Sequence, residues 1–380
     1  MFAKTFTVSM AAALILATGG LAPAATFVVT TTVDENDASA LIGTGLSLRD
    51  AVMLSNESPG LDRIFLPSGL YELSLPEDGI FLGSGGALDI QGSLEILPSD
   101  QALERPIISA GNRHRIFTVG NFQQTVIQFS ITELKLLNGL ESSEGGAIRL
   151  DANSELRMEN CIVQDCGLNG FGITRGGAIF NEGGTSNRIE LIQCSFLNNQ
   201  ATEGSVLYSA DSSPTFMNFN RFAMGNPDGS IPTFHFAQEP VEFDFNDNWY
   251  GKNAGPVEGT FTGVVAPSFW LIFTLEASRT TLVAAPSQIV LSVSANQTND
   301  GGTSLTPLQD GIPLNWKSQI PGPRVVEETL LSGVATSTIT ALSSFGTYTE
   351  SVQLDEEEVS VELTGQIPNR GAGWVISGLQ

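Results

Sequence analysis

The chain has 380 residues, and its 41 acidic side chains outnumber 17 basic ones for a net charge of −24. A surface that acidic repels nucleic acid and anionic lipid, so neither is expected as a partner. The 40 glycines are interleaved with strand formers, which favours an all-β protein, and the length predicts two folded regions.

Residues 1–25 read as a secretory signal. Lys4 supplies a positive start, residues 10–16 an apolar run, and Ala22-Pro23-Ala24-Ala25 a small-residue site with cleavage expected before Ala25 or Thr26. That run is too short to span a membrane, and no later stretch reaches the ~18 apolar residues a spanning helix needs. The mature protein is expected to be secreted, or held at a bacterial cell surface, without a membrane span. In the next module, residues 26–60, residues 26–33 alternate as a strand and Ser47 is placed to cap a short helix. Leu48, Ala51, Val52 and Met53 give that helix an apolar side. Such a helix suits the open end of a stack of coils, where strand edges need cover.

From residue 61 to 265 short apolar runs alternate with turn residues, and a repeat emerges. Gly145-Gly146-Ala147-Ile148 returns as Gly176-Gly177-Ala178-Ile179 and, weakened, as Gly204-Ser205-Val206-Leu207. Each is followed by a strand-like phrase: Leu156-x-Met158, Ile189-x-Leu191, Met217-x-Phe219. A period of roughly 30 residues marks stacked copies of a unit that cannot bury its apolar face alone. In each coil an inward pair leads round a corner to further inward positions. Ile127 and Phe129 lead to Thr132 and Leu134; Leu156 and Met158 to Cys161 and Val163; Ile189 and Leu191 to Cys194 and Phe196; Met217 and Phe219 to Phe222. Stacking Leu156 on Ile189 sets Glu155 beside Arg188 and Arg157 beside Glu190, two opposite-charge pairs on adjacent parallel strands. The expectation is a parallel β-helix of about eight coils with Cys161 above Cys194. Two small buried hydrophobes fit that stack better than a disulfide or a metal site.

Beyond residue 267 the glycine phrase stops. Runs at residues 269–275, 289–293, 312–316, 334–340, 347–352 and 359–363 predict a small β-sandwich over residues 268–380 with Trp316 in its core.

Chemistry is harder to find. Hydrolases need clustered carboxylates, and lyases need a base beside a cation. His114 and His235 stand outside any catalytic phrase, and Glu155, Glu159 and Glu190 read as a solvated face whose carboxylates pair with arginines. Asp34, Asp37, Asp244 and Asp247 could hold Ca²⁺ loosely but lack the spacing of a dedicated loop, so no cofactor is expected beyond that. Phe243, Phe245, Trp249 and Tyr250 form the densest aromatic cluster, suited to stacking on sugar rings or to closing the end of the helix against the next region. No helix follows the Gly-Gly pairs to cradle a phosphate.

Residues 26–62 resemble the N-terminal module of exported bacterial β-helix proteins with a Cys-Ser-Leu-Arg-Glu-Ala (CSLREA) signature, here Leu46-Ser47-Leu48-Arg49-Asp50-Ala51. Leu46 stands in place of that cysteine and Asp50 in place of the glutamate. The Gly-Gly-Ala-Ile phrases and Phe196-Leu197-Asn198-Asn199 are similar to the GGAI and FxxN phrases of polymorphic outer-membrane-protein repeats. Asn248-Trp249-Tyr250-Gly251 with Gly255-Pro256 resembles the phrase that closes many surface β-helices before an immunoglobulin-like module. The resemblance implies a right-handed parallel β-helix of the pectate-lyase-like superfold, followed by an immunoglobulin-like β-sandwich. That superfold carries lyases, hydrolases and adhesins alike. The expected function is therefore a non-enzymatic, adhesin-like or glycan-binding protein that meets an extracellular polysaccharide or cell-surface glycan. The alternatives are a secreted polysaccharide lyase or glycoside hydrolase, and a structural module of the envelope.

Overall fold

The structure is a computed structural model that describes residues 24–37, 42–77, 85–121, 125–168, 173–184, 186–223, 233–282, 287–304, 306–320, 323–341 and 346–365. Of the expected signal, only Ala24 and Ala25 fall among the described residues.

Short strands broken by Gly, Asn and Asp turns wind into three parallel sheets. The first sheet has eight strands, from Thr26–Val28 to Phe243–Asp244; the second has six, from Leu70–Glu72 to Arg221–Ala223; the third has seven, from Leu88–Ile90 to Phe261–Thr262. One turn runs through Ser154–Glu159, Ile162–Gln164 and Ile179–Asn181 before re-entering the first sheet at Arg188–Ile192. Among the described residues six turns, not eight, carry a strand in all three sheets. Among the described residues Thr26–Val28 is followed by no strand of the second sheet, and Phe243–Asp244 leads only to a single parallel bridge from Trp249 to Arg221 there, so these two form incomplete turns at the ends. The result is a parallel β-solenoid, and its shared interior is the core.

In-register pairing stacks like on like. Leu156 lies on Ile189, Met158 on Leu191 and Arg157 beside Glu190, as the repeat predicts. Two coils differ from the expectation by two residues. Phe129 and Ile131, not Ile127 and Phe129, stack with Leu156 and Met158, and Thr215 and Met217, not Met217 and Phe219, stack with Ile189 and Leu191. For Ile127 and Phe129 a slip of two keeps each side chain on its own face, so the apolar pattern alone cannot detect it. Thr132 and Phe219, expected inward, fall instead on the outward position beside Glu159 and at the corner.

In five successive turns the corner between the first and second sheets is set by one left-handed residue. Glu133, Asn160, Gln193, Phe219 and Asp247 have φ of 54°, 51°, 50°, 61° and 57°. This is where the alternation breaks, and it explains why Phe219 is not an inward residue. Just past the corner, Cys161 and Cys194 are free, buried thiols, and the Cys161 N–H points at Cys194 Sγ from 3.5 Å.

The helix Leu48–Glu57 covers the first end of the stack. Ser47 and Asp50 form a reciprocal capping box, and Leu48, Ala51 and Val52 are buried; Met53 is only half-buried. Arg49 is fully buried, yet its guanidinium is matched by Asp34 at 2.8 Å and by the carbonyls of Gly86 and Ala87. Breaking so enclosed a pair is expensive.

The C-terminal region consists of two four-stranded sheets, antiparallel apart from the pairing of Thr281–Leu282 with Glu357–Gly365. Phe273, Val293 and Ala335 of one sheet share a core with Val352 and Leu354 of the other. Trp316, expected inside, is half-buried: its Nε1 donates to Glu327 O and Arg324 covers its ring at 5.3 Å. Among the described residues no helix is long and apolar enough to cross a membrane.

The Gly-Gly phrase has a steric cause. A Cβ on Gly177 would sit 2.5 Å from the Ser205 carbonyl oxygen and 2.7 Å from the Gln200 carbonyl, both backbone atoms of the next turn. Gly177→Ala is therefore expected to lose about 3 kcal/mol or more in urea unfolding. Gly301→Ala, where φ is +86° but nothing lies within 4 Å, should lose only about 1–2 kcal/mol.

Candidate ligand-binding groove

The outward side of the first sheet follows the same stacking rule as the core. Arg63, Glu95, Ser130, Arg157, Glu190, Phe216 and Asp244 form one vertical file, and Gln128, Glu155 and Arg188 a second beside it. Between the files lies an open groove of about 220 Å³, lined by Glu95, Gln128, Ser130, Glu155, Arg157, Arg188 and Glu190. Phe129 and Leu156 also border it, but their side chains are buried, so they offer main chain.

Most charges here are already matched. Arg63 pairs with Glu95 at 2.7 Å, and Arg157 pairs with Glu190 and, at 2.8 Å, with Glu159. Burial works against the Arg157 charge, but hydrogen bonds to Glu159 and Glu190 hold the guanidinium above its usual range. Glu155 and Arg188 are register neighbours, yet they do not form the expected ion pair. Glu155 accepts from Gln128 Nε2 at 3.0 Å, while the Arg188 guanidinium lies 4.5 Å over the Phe216 ring. The groove thus presents a carboxylate and a guanidinium side by side, each without an ion partner among the described residues. Together they offer acceptors and a fork of donors to a ligand rich in hydroxyls.

Three carboxylates face this groove, which bears on hydrolysis. Glu95 and Glu190 are three strand spacings apart in one file, roughly 14 Å and too far for a glycosidase pair. Glu155 and Glu190 are on adjacent strands two positions apart, roughly 7 Å. A general acid must hold a proton; Glu190 instead holds a guanidinium.

The aromatic candidates go elsewhere. Trp249 is fully buried, stands in an edge contact with Phe273 at 6.4 Å and donates Nε1–H to Asp355 Oδ2 at 2.7 Å. Arg221 binds the same carboxylate at 2.9 Å, so this phrase fastens the solenoid to the C-terminal sheets. Phe245 and Tyr250 are buried, and burial pushes the Tyr250 phenol up. Only Phe243 is exposed, stacked on Phe245 at 5.2 Å.

The candidate calcium ligands are scattered. Asp34 serves Arg49 and the N–H groups of Ser74 and Leu75, and the Asp37 N–H donates to Asp50. Asp244 accepts from Asn246. Among the described residues no group of three His, Cys, Asp or Glu side chains is placed to hold a metal ion.

A second file went unread in the sequence. On the outer side of the third sheet, Arg149, Phe180, Tyr208 and His235 follow one another in register. Phe180 stacks on Tyr208 at 5.6 Å and Tyr208 on His235 at 4.9 Å, with Arg149 and Arg175 each 5.2 Å over a ring. Their signal was the residue after each Gly-Gly-Ala-Ile phrase. These ring faces cover one another, and Phe180 and Tyr208 are buried, so they make a poor platform for a sugar.

Comparison with protein-family models, curated proteins and solved structures gives no match.

At the seam between the solenoid and the C-terminal sheets, burial and then the Asp244 and Asp300 carboxylates push the Asp247 carboxyl above its ordinary range. A raised carboxyl favours the fold only while protonated, so ionised Asp247 costs stability near pH 7 and costs less as pH falls through its range. Asp247→Asn should raise stability by a few tenths of a kcal/mol at pH 7, and thermal melts should show the gain fading toward pH ~4.

Proposed function

We propose that the protein is a secreted or surface-held, non-enzymatic, adhesin-like protein that binds an extracellular polysaccharide along the outer side of its first sheet. In this reading the solenoid is right-handed, the N-terminal module is of the CSLREA type, and the C-terminal sheets are an immunoglobulin-like sandwich that spaces the groove from its attachment. The observation that carries the proposal is the Glu155–Arg188 pair, adjacent in register but without ion partners among the described residues, in an open groove. Hydrogen-bonding side chains flank it on both sides. The long straight file suits a polymer, because successive turns offer equivalent positions at about 4.8 Å intervals.

The rival reading, a polysaccharide hydrolase or lyase, draws on the proximity of Glu155 and Glu190. Affinity electrophoresis against neutral and anionic polysaccharides, with the same mixtures assayed for new reducing or unsaturated ends, separates the two. Retention without new ends is expected. Arg188→Ala should weaken that retention at least about tenfold, the loss expected for a charged hydrogen-bond donor. New ends that vanish in Glu155→Gln would replace this reading with the enzymatic one, and no retention by any glycan would remove both.

A further inference from the structure

Asp62 opens the strand Asp62–Leu66, and its side chain points into the stack, in the inward file beside Leu94. It is fully buried. A carboxylate there is costly unless its oxygens and its charge are met. Oδ1 accepts from the Ala25 backbone N–H at 2.6 Å, with Ser58 Oγ at 3.4 Å. Oδ2 is buried with no hydrogen-bond partner among the described residues. The arginines nearest in sequence are committed elsewhere, Arg49 to Asp34 and Arg63 to Glu95. Ala25 itself is fixed, because its carbonyl accepts from the Arg63 N–H at 2.9 Å and the chain joins the first sheet at this residue. Immediately upstream stand Ala22-Pro23-Ala24, with small residues at both positions a leader peptidase reads.

We propose that hydrolysis of the Ala24–Ala25 peptide bond completes this site, and that the new α-ammonium group of Ala25 forms an ion pair with the buried Asp62 carboxylate. The inference rests on the reading that the protein is exported. A leader peptidase adds water across the amide bond. Ala24 departs with a carboxylate, and the Ala25 amine takes up a proton near neutral pH. An amide offers Asp62 one neutral donor. An ammonium offers three donors and a positive charge, enough for Oδ1, the unpartnered Oδ2 and Ser58 Oγ. Cleavage one residue later, before Thr26, would remove the nitrogen that Asp62 binds. The buried acid therefore selects between the two cleavage points that the sequence allows.

Two measurements test this. The full chain is expressed in an exporting bacterial host, and the exported product is examined by intact mass and N-terminal sequencing. A chain beginning at Ala25 is expected. A start at Thr26 or beyond overturns the inference and leaves export intact, whereas a product still beginning at Met1 overturns export and the inference together. The mature chain is then compared with the same chain retaining Ala24. Retention of Ala24 should lower the Tm by about 2–4 °C or more, and the difference should vanish in the Asp62→Asn background. Equal melting points would overturn the ion pair. Should Asp62→Asn fail to fold, acylation of the α-amine by a succinimidyl ester decides instead: the Ala25 amine should react more slowly than that of the chain retaining Ala24, and equal rates overturn the ion pair.

Discussion

Every feature of the solenoid depends on one constraint: each strand hydrogen-bonds in parallel, and in register, to the same strand of the next turn. Once that ladder exists, a residue's vertical neighbours are its counterparts one turn away. Apolar residues then stack into a continuous interior, and polar ones stack into ladders. Asn220 and Asn248 show the second case. Each side chain is buried just past the corner, where Asn220 Oδ1 accepts from Cys194 N–H and Asn248 Oδ1 from Asn220 N–H. Their amide groups donate to Leu191 O and Met217 O. A left-handed corner frees backbone groups from the sheets, and the asparagines satisfy them inside the core.

The same rule produces the two outward surfaces. On the third sheet it lines up Phe180, Tyr208 and His235 so that their faces are spent on one another. On the first sheet it lines up charges, and there the match is incomplete. Arg157 takes two carboxylates, and Arg188 lies over Phe216 instead of reaching Glu155. The interaction left unmade, more than any motif, makes the first sheet the better candidate for binding.

Much of this architecture was legible in the sequence. The Gly-Gly phrase betrayed the period because backbone from the next turn occupies the space a side chain would need. The pairing of Arg157 with Glu190 followed from aligning Leu156 on Ile189. The differences have distinct physical origins. A period of two is blind to the two-residue slip at Ile127 and Phe129, and for Phe219 the alternation carries no sign that the strand ends in a left-handed corner there. Sequence could place Glu155 beside Arg188 but could not say that each would choose another partner, since long side chains decide that by local packing. Trp249 reads better in the sequence as a plug for the end of the helix than as a sugar platform, but its partner Asp355, far along the chain, could be found only in the fold.

The claim beneath the rest is that side chains of successive turns stand in vertical files. Spin labels at Arg63 and Phe216, five strand spacings apart in one outward file, address it directly by pulsed dipolar spectroscopy. The native thiols are buried and shielded from the reagent. A single narrow distance distribution near ~24 Å is predicted. A broad distribution, or one displaced by more than about two strand spacings (~10 Å), would contradict the stacking and everything argued from it.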